Sequence, residues 1–339
     1  MFATLRLTAL ALLLSCGLSL HARADAARPA QFAEQQLRDI ATRFPGRMSG
    51  SPAEMLAADY LQQQFSALGF QSDTRQFNTS YIWHDGQGQP RRHKVTATSV
   101  IAARAGTQPQ EILILAHLDT WTPLSDAQAQ RNVGGLRLQG ADDNASGLAL
   151  MLALAQRLGA LPLHYGVRFV ALSASDASQG GMEDYLARMS AKEKKNTLLV
   201  INLHSLIVGD RLCFNSGAHM PGAVRKQTSQ RALALARSKH IAVCGRHLTK
   251  RDEAVVNPFD KAGFPLLEVT SGKGFVDENA PGLQRARSAH FPEGTVRHET
   301  DRDNLAYLDR WLPGRIARRM QESVSILLPL LTELTNPQK

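Results

Sequence analysis

The sequence predicts an α/β fold: a mixed, mostly parallel central sheet with helices on both faces. Three observations carry that expectation. Segments 112–116 (ILILA), 167–172 (VRFVAL) and 198–203 (LLVINL) are near-continuous apolar runs of strand length, as expected for strands covered on both faces. Segments of helical periodicity separate them, and buried strands alternating with helices describe a layered α/β sheet. No Pro/Gly/Ser-rich linker interrupts the chain, so residues 25–339 are read as one domain.

The elements follow in order. Leu37, Ile40 and Phe44 recur at helical spacing up to a stop at Pro45-Gly46. Ser51-Pro52 opens a second helix with Leu61, Phe65 and Leu68 on one face and Gly69 as its end. Segments 71–83 and 95–103 alternate apolar and polar residues, as half-buried strands do, around a connection at 86–90. A long polar loop spans 120–140. Residues 144–158 are helical, with an apolar stripe of Leu148, Met151, Leu152, Ala155 and Leu158. Further helices are expected at 181–190 and 223–239, and a fourth buried strand at 265–269. A long closing helix runs from Gly314 to Leu334, with Arg315, Arg318 and Arg319 on a solvated face opposite Ile316, Met320 and Val324.

Composition narrows the function classes. The 339 residues are 43% apolar and 20% charged, which excludes a disordered tail. With 25 Gly and 15 Pro the chain is not collagen-like. The net charge of +9 permits a nucleic-acid or membrane-surface binder. The basic residues form no long tract, however, and the aromatics, 6% of the chain, do not interleave with them, as binding to single strands requires. No nucleic-acid partner is expected.

The N-terminus has one basic residue, Arg6, then an apolar stretch from Leu7 to Leu20, then Ala22-Arg23-Ala24. That is the layout of a secretory signal peptide over 1–24. The apolar stretch is short for a membrane-spanning anchor. Leu13-Leu14-Ser15-Cys16 is a poor lipoprotein signal, because Leu14 is bulky and the apolar stretch continues beyond Cys16. A periplasmic or secreted, soluble mature chain is expected; losing Arg6 and Arg23 lowers its charge from +9 to +7. It keeps Cys213 and Cys244. A disulfide between them and two separate buried thiols are both compatible with that compartment.

In such sheets ligands bind beyond the carboxyl ends of the strands. His117 and Asp119 follow the first buried run, Ser175 and Asp176 the second, and His204 the third. Asp142 and Asp143 open the 144–158 helix, and His298 and Asp303 lie late in the chain. Each alone is ordinary: a histidine after a strand is usually just hydrogen-bonded, and an Asp at a helix start is usually a cap. Together they place imidazoles and carboxylates on one rim, a donor set suited to zinc.

AHLD (116–119), GADDNASG (140–147), a strand with an acidic loop, INL (201–203) with a ligand, and a late histidine together resemble metallopeptidase family twenty-eight, the co-catalytic di-zinc aminopeptidases. FPGRMSG (44–50), PAEMLAADYL (52–61), EKKNTLLVINL (193–203), FDKAG (259–263) and LPGRI (312–316) look like a bacterial periplasmic branch of it, so the resemblance covers essentially the whole mature chain. It implies a zinc aminopeptidase-like (phosphorylase/hydrolase-like) fold and a peptide or protein N-terminus as substrate. It also implies two zinc ions sharing a carboxylate and a water whose proton a nearby Glu takes. Carried over, His117 and His298 each match a metal's histidine and Asp143 the bridging carboxylate. Asp119 and Asp303 match acids behind the two histidines.

Three positions depart from the family. Ser175 stands where the family has its catalytic Glu, Asp176 where it has a Glu ligand, and His204 where it has an Asp ligand. The segment ahead of FDKAG, nearest to Ala254-Val255-Val256, also differs. Asp176 and His204 both remain competent to bind a divalent ion, with one or two zinc ions open. A serine hydroxyl is no general base near neutral pH; Asp176, Glu183 or Glu268 are the nearby carboxylates that could substitute. Two readings therefore stand: a zinc aminopeptidase with a degenerate base position, and an inactive or very slow metal-binding pseudo-peptidase that holds peptides or a partner.

Overall fold

The structure is a computed structural model that describes residues 28–175, 180–249, 257–274 and 284–337. The expected signal peptide, Asp176 and Ala254-Val255-Val256 lie outside the described residues.

Eight strands form one mixed sheet: β1 (Gln71–His84), β2 (Pro90–Arg104), β3 (Gln108–His117), β4 (Tyr165–Leu172), β5 (Thr197–Leu203), β6 (Arg211–Ser216), β7 (Val243–Cys244) and β8 (Leu266–Gly272). Their order is β1-β2-β4-β3-β5-β8-β6-β7. The four central strands β4, β3, β5 and β8 run parallel, while β2 joins β4, and β6 joins β8, antiparallel. The three apolar runs are the central strands. Register sets Ile114 opposite Phe169 on one side and Ile201 on the other.

Alternation within one apolar run serves two cores. Ile112, Ile114 and Ala116 of β3 join a large cluster on one face, whereas Leu113 and Leu115 join a smaller one with Val170, Tyr185 and Phe259 on the other. Burial on both faces is why β3 carries no polar residue between 112 and 116.

Five helices matter for the site. Residues 28–43 are helical (α1). The second, α2 (Pro52–Ala67), is capped by the Ser51 hydroxyl, which accepts from the Glu54 amide, and Pro52 starts it. The third, α3 (Ser146–Leu158), is almost wholly buried behind the sheet. The others are α4 (Ser229–Ser238) and α5 (Arg315–Thr335). Among the described residues no helix is long and apolar enough to cross a membrane.

Two expectations need correction. The helix expected over 223–239 is broken at Thr228 into Gly222–Gln227 and α4. The arginine face of α5 is only partly solvated, because Arg319 is 2% exposed. The loop after β5 needs donors: Arg315 Nη1 and Arg319 Nη2 both donate to the Gly209 carbonyl, at 2.6 and 2.7 Å. The strand β6 was not evident from the sequence; it is short and pairs with the later β8. A disulfide joins Cys213 to Cys244 across β6 and β7, deciding between the two states open for these cysteines.

Candidate metal centre

The strand end of β3 delivers His117. Its Nδ1 donates to the Asp119 carbonyl at 2.9 Å, and its Nε2 lies 3.1 Å from Asp143 Oδ1. The carboxylate of Asp119 is buried and faces other loops: Ser49 Oγ donates to Oδ2 at 3.1 Å, and the Ser175 amide to Oδ1 at 3.2 Å. Asp119 thus orients His117 through its carbonyl and ties the segments around residues 49 and 175 to the same point.

Asp143 sits on a tight turn before α3. Gly140 enters it with φ of 55°, and a Cβ there would meet Thr120 Cγ2 at 2.6 Å and Arg47 Nη2 at 2.8 Å, so the close approach requires glycine. Arg47, fully buried, donates to the carbonyls of Leu118, Gln139 and Gly140 at 2.9, 2.5 and 2.8 Å. Asp303 accepts from the amides of Asp142 and Asp143 at 2.7 and 3.2 Å. Asp142 accepts from the Ile207 amide at 2.7 Å, and Asn144 donates to the Leu203 carbonyl at 2.9 Å. The turn is therefore fixed to β5 and to the late segment before any ligand binds. Asp303 supports the peptide carrying Asp143.

Ser205 Oγ donates to Asp143 Oδ1 at 2.7 Å, and Arg297 Nε lies 3.4 Å from Oδ2. Burial opposes ionisation of Asp143, but His117, Arg297 and His204 outweigh it and hold its carboxyl below the usual range. Burial instead raises Asp142 and Asp303, each with a neighbouring aspartate adding to the shift. Of these three acids Asp143 is the one whose charged form its surroundings favour.

His298 stacks on Trp121 with ring centroids 3.7 Å apart. Burial, with Arg297 beside it, lowers its pKa to about 4, so the imidazole is neutral at pH 7. His204 extends from β5 with Nε2 2.7 Å from Glu268 Oε1, which also accepts from Asn202 at 2.7 Å. Glu268 is thus engaged, and Glu183 is exposed on the 180–188 helix. Ser175 has a buried hydroxyl with no hydrogen-bond partner.

The donor chemistry fits a divalent ion. Asp143 Oδ2 and His298 Nε2 are buried without a hydrogen-bond partner, and buried polar atoms of that kind call for an explanation. With Nδ1 bonded to the Asp119 carbonyl, Nε2 is the nitrogen of His117 that turns to Asp143. Among the described residues no three His, Cys, Asp or Glu side chains are already gathered at metal-binding distance; at this rim they meet in pairs, His117 with Asp143 and His204 with Glu268. Sequence reasoning missed Ser205, Arg297, Trp121, Arg47 and Glu54. A hydroxyl or guanidinium has no strand-end pattern to betray it, although Arg297 does adjoin a marked histidine.

Residues 99–324, most of the chain, match the model of Peptidase family M28. The chain belongs to peptidase family M28. It is 49% identical to the Alkaline phosphatase isozyme conversion protein of Escherichia coli (strain K12), over 98% of this chain and 99% of that one. Its fold resembles a zinc aminopeptidase from Bacillus subtilis, BSAP, with TM-score 0.63 and 14% identity over 91% of this chain and 96% of that one. It also resembles Porphyromonas gingivalis glutaminyl cyclase, with TM-score 0.58 and 18% identity over 90% and 98% of the two chains. That fold thus carries more than one reaction, and for this M28 chain the chemistry has to be argued from the side chains.

Proposed function

We propose that this chain is a zinc-dependent aminopeptidase, exported by the segment 1–24, that releases N-terminal residues from peptides or proteins in the periplasm or outside the cell. The metal ligands in this reading are His117, Asp143 and His298, with His204 and Asp176 as further donors. Asp119 and Asp303 support them. The observation that carries it is the meeting of His117 Nε2 with Asp143 at 3.1 Å, beside the buried His298 Nε2 that has no hydrogen-bond partner. Membership of a peptidase family and the zinc aminopeptidase fold support the reaction class.

When bound, zinc supplies positive charge that acidifies a water and polarises a scissile carbonyl. The chain's residues do the rest. Asp143 keeps its charge at the centre, and neutral His298 presents a lone pair. Asp119 holds the His117 ring in place through its carbonyl and fixes the Ser175 amide. The proton of the attacking water needs an acceptor, and the buried Ser175 hydroxyl is not one near pH 7. Loss of a general base costs about 10²–10⁴ in rate, so slow turnover is expected. Ser175 also favours a second reading, a pseudo-peptidase that keeps the metal and holds peptides without cleaving them.

The deciding experiment is zinc-supplemented hydrolysis of aminoacyl-nitroanilides by the mature chain and by Ser175→Glu. The proposal expects weak zinc-dependent release by the natural chain, increased about 10²–10⁴-fold in kcat by the substitution. No zinc-dependent release by the natural chain across apolar, basic and acidic side chains sinks the aminopeptidase reading. Activity in Ser175→Glu alone then identifies the pseudo-peptidase.

A further inference from the structure

The centre carries a cation of its own. Arg297 Nε lies 3.4 Å from Asp143 Oδ2, and its guanidinium carbon is 5.4 Å from the centroid of Trp121. Trp121 is also the ring on which His298 stacks at 3.7 Å. The two oxygens of Asp143 are therefore in different surroundings. Oδ1 meets His117 Nε2 and the Ser205 hydroxyl, at 3.1 and 2.7 Å. Oδ2 faces the guanidinium. Arginine stays protonated at every accessible pH, so this positive charge is permanent. Trp121 limits where it can go, since its indole is in contact with the guanidinium as well as with the imidazole.

A carboxylate that bridges two ions gives one oxygen to each. An ion on Oδ2 would sit within a few ångströms of the Arg297 guanidinium, and like charges at that distance repel even with the Arg297 side chain 37% exposed. The sequence lowers the negative charge further, with Ser175 and His204 at two positions that are acidic in the family. We propose that Arg297 stands in for the second metal ion, so that the centre binds a single zinc on the His117–Asp143 Oδ1 side. This rests on the reading above that the centre binds zinc. In this arrangement Arg297 neutralises Oδ2, and His298, counted as a ligand in the reading above, stays stacked on Trp121 and outside the single-zinc shell.

The test strips the full mature chain with a chelator, titrates it with zinc alone, and counts bound zinc by mass spectrometry after desalting. The natural chain is expected to saturate at one equivalent, Arg297→Lys at one, and Arg297→Ala at two. Arg297→Ala combined with His298→Ala should return to one, which separates a second site at the centre from adventitious surface binding. Two equivalents on the natural chain overturn the proposal, and that arm depends on no variant. One equivalent on a folded Arg297→Ala, checked by circular dichroism, overturns it too while leaving the zinc reading intact. No zinc on either chain removes both.

Discussion

Two walls of the centre are built to different standards. The turn at 140–147 forms one wall. Asp303 holds its amides, Ile207 holds Asp142, the Leu203 carbonyl holds Asn144, and the Ser146 hydroxyl donates to the Asp142 carbonyl at 2.6 Å while accepting from Leu206 at 3.2 Å. The loop after β4 forms the other. Ala174 there has φ of 54°, in the left-handed region that an alanine adopts only at some cost, and the Ser175 hydroxyl is buried without a partner. Asp119, beyond the end of β3, holds this loop through the Ser175 amide. Both walls are anchored through their backbone amides, but the first presents a charged carboxylate, Asp143, and the second only a hydroxyl, Ser175. On the proposed reading, metal binding depends on the first wall and turnover on the second, so the two can be separated by experiment.

The largest expected effect breaks the first wall at its charge. Asp143→Asn keeps the shape of the side chain but leaves His117, Ser205 and Arg297 facing an uncharged amide. Removing a group that merely supports a ligand costs 10–100-fold in metal affinity, so this change should cost at least about 100-fold. A zinc titration against a chromophoric chelator measures it. Unchanged affinity would mean that the strong wall is not the metal-binding one.

The next effect, on stability and not on affinity, is expected at Arg47, which clamps the same wall from behind. Its guanidinium satisfies the carbonyls of Leu118, Gln139 and Gly140 in a site with no access to water. Arg47→Met fills much of the same volume and leaves those acceptors unmet, at about 3 kcal/mol. Urea unfolding should show the midpoint falling with the slope unchanged. An unaltered midpoint would show that the turn is held by Asp303 and Ile207 alone.

The same contrast explains what the sequence made legible. The strands β3, β4 and β5 were visible because burial on both faces forces continuous apolar runs. The strand β6 was not, because six residues pairing antiparallel with the later β8 leave no local periodicity. The polar Pro90–Lys94 start of β2 is exposed and carries no apolar signal, so the hairpin is longer than alternation indicated. At the site, His117 is marked by a strand end, whereas Asp143 is told from Asp142 only by the resemblance of GADDNASG to the family's motif. Ser205 and Arg297 reach Asp143 through tertiary contacts that no spacing rule encodes. Arg319 was placed in solvent because helical periodicity records the apolar stripe and cannot see a loop carbonyl waiting across from it.

The smallest effect belongs to the second wall and appears as a pH dependence. Glu54 is buried at the start of α2, and its carboxyl accepts from the Ser173 hydroxyl and from the Gly50 and Thr98 amides, the latter two at 2.9 and 3.3 Å. Burial pushes its pKa up to about 7; the hydrogen bonds from Ser173, Gly50 and Thr98 oppose the rise, and the nearby charge of Asp119 adds to it. A carboxyl that holds its proton more tightly folded than unfolded stabilises the fold below its unfolded pKa and loses that contribution as pH rises through its folded one. Stability should therefore fall between about pH 4.5 and 7, by at most about 3 kcal/mol from this group. Glu54→Gln has no proton to lose, so its urea midpoints at pH 5, 6 and 7.5 should vary less than those of the natural chain. Parallel pH profiles would show that Glu54 keeps one protonation state across this range. The contrast between the walls would then reduce to Ser175, because the one titrating group assigned to the weaker wall would contribute nothing to its pH response.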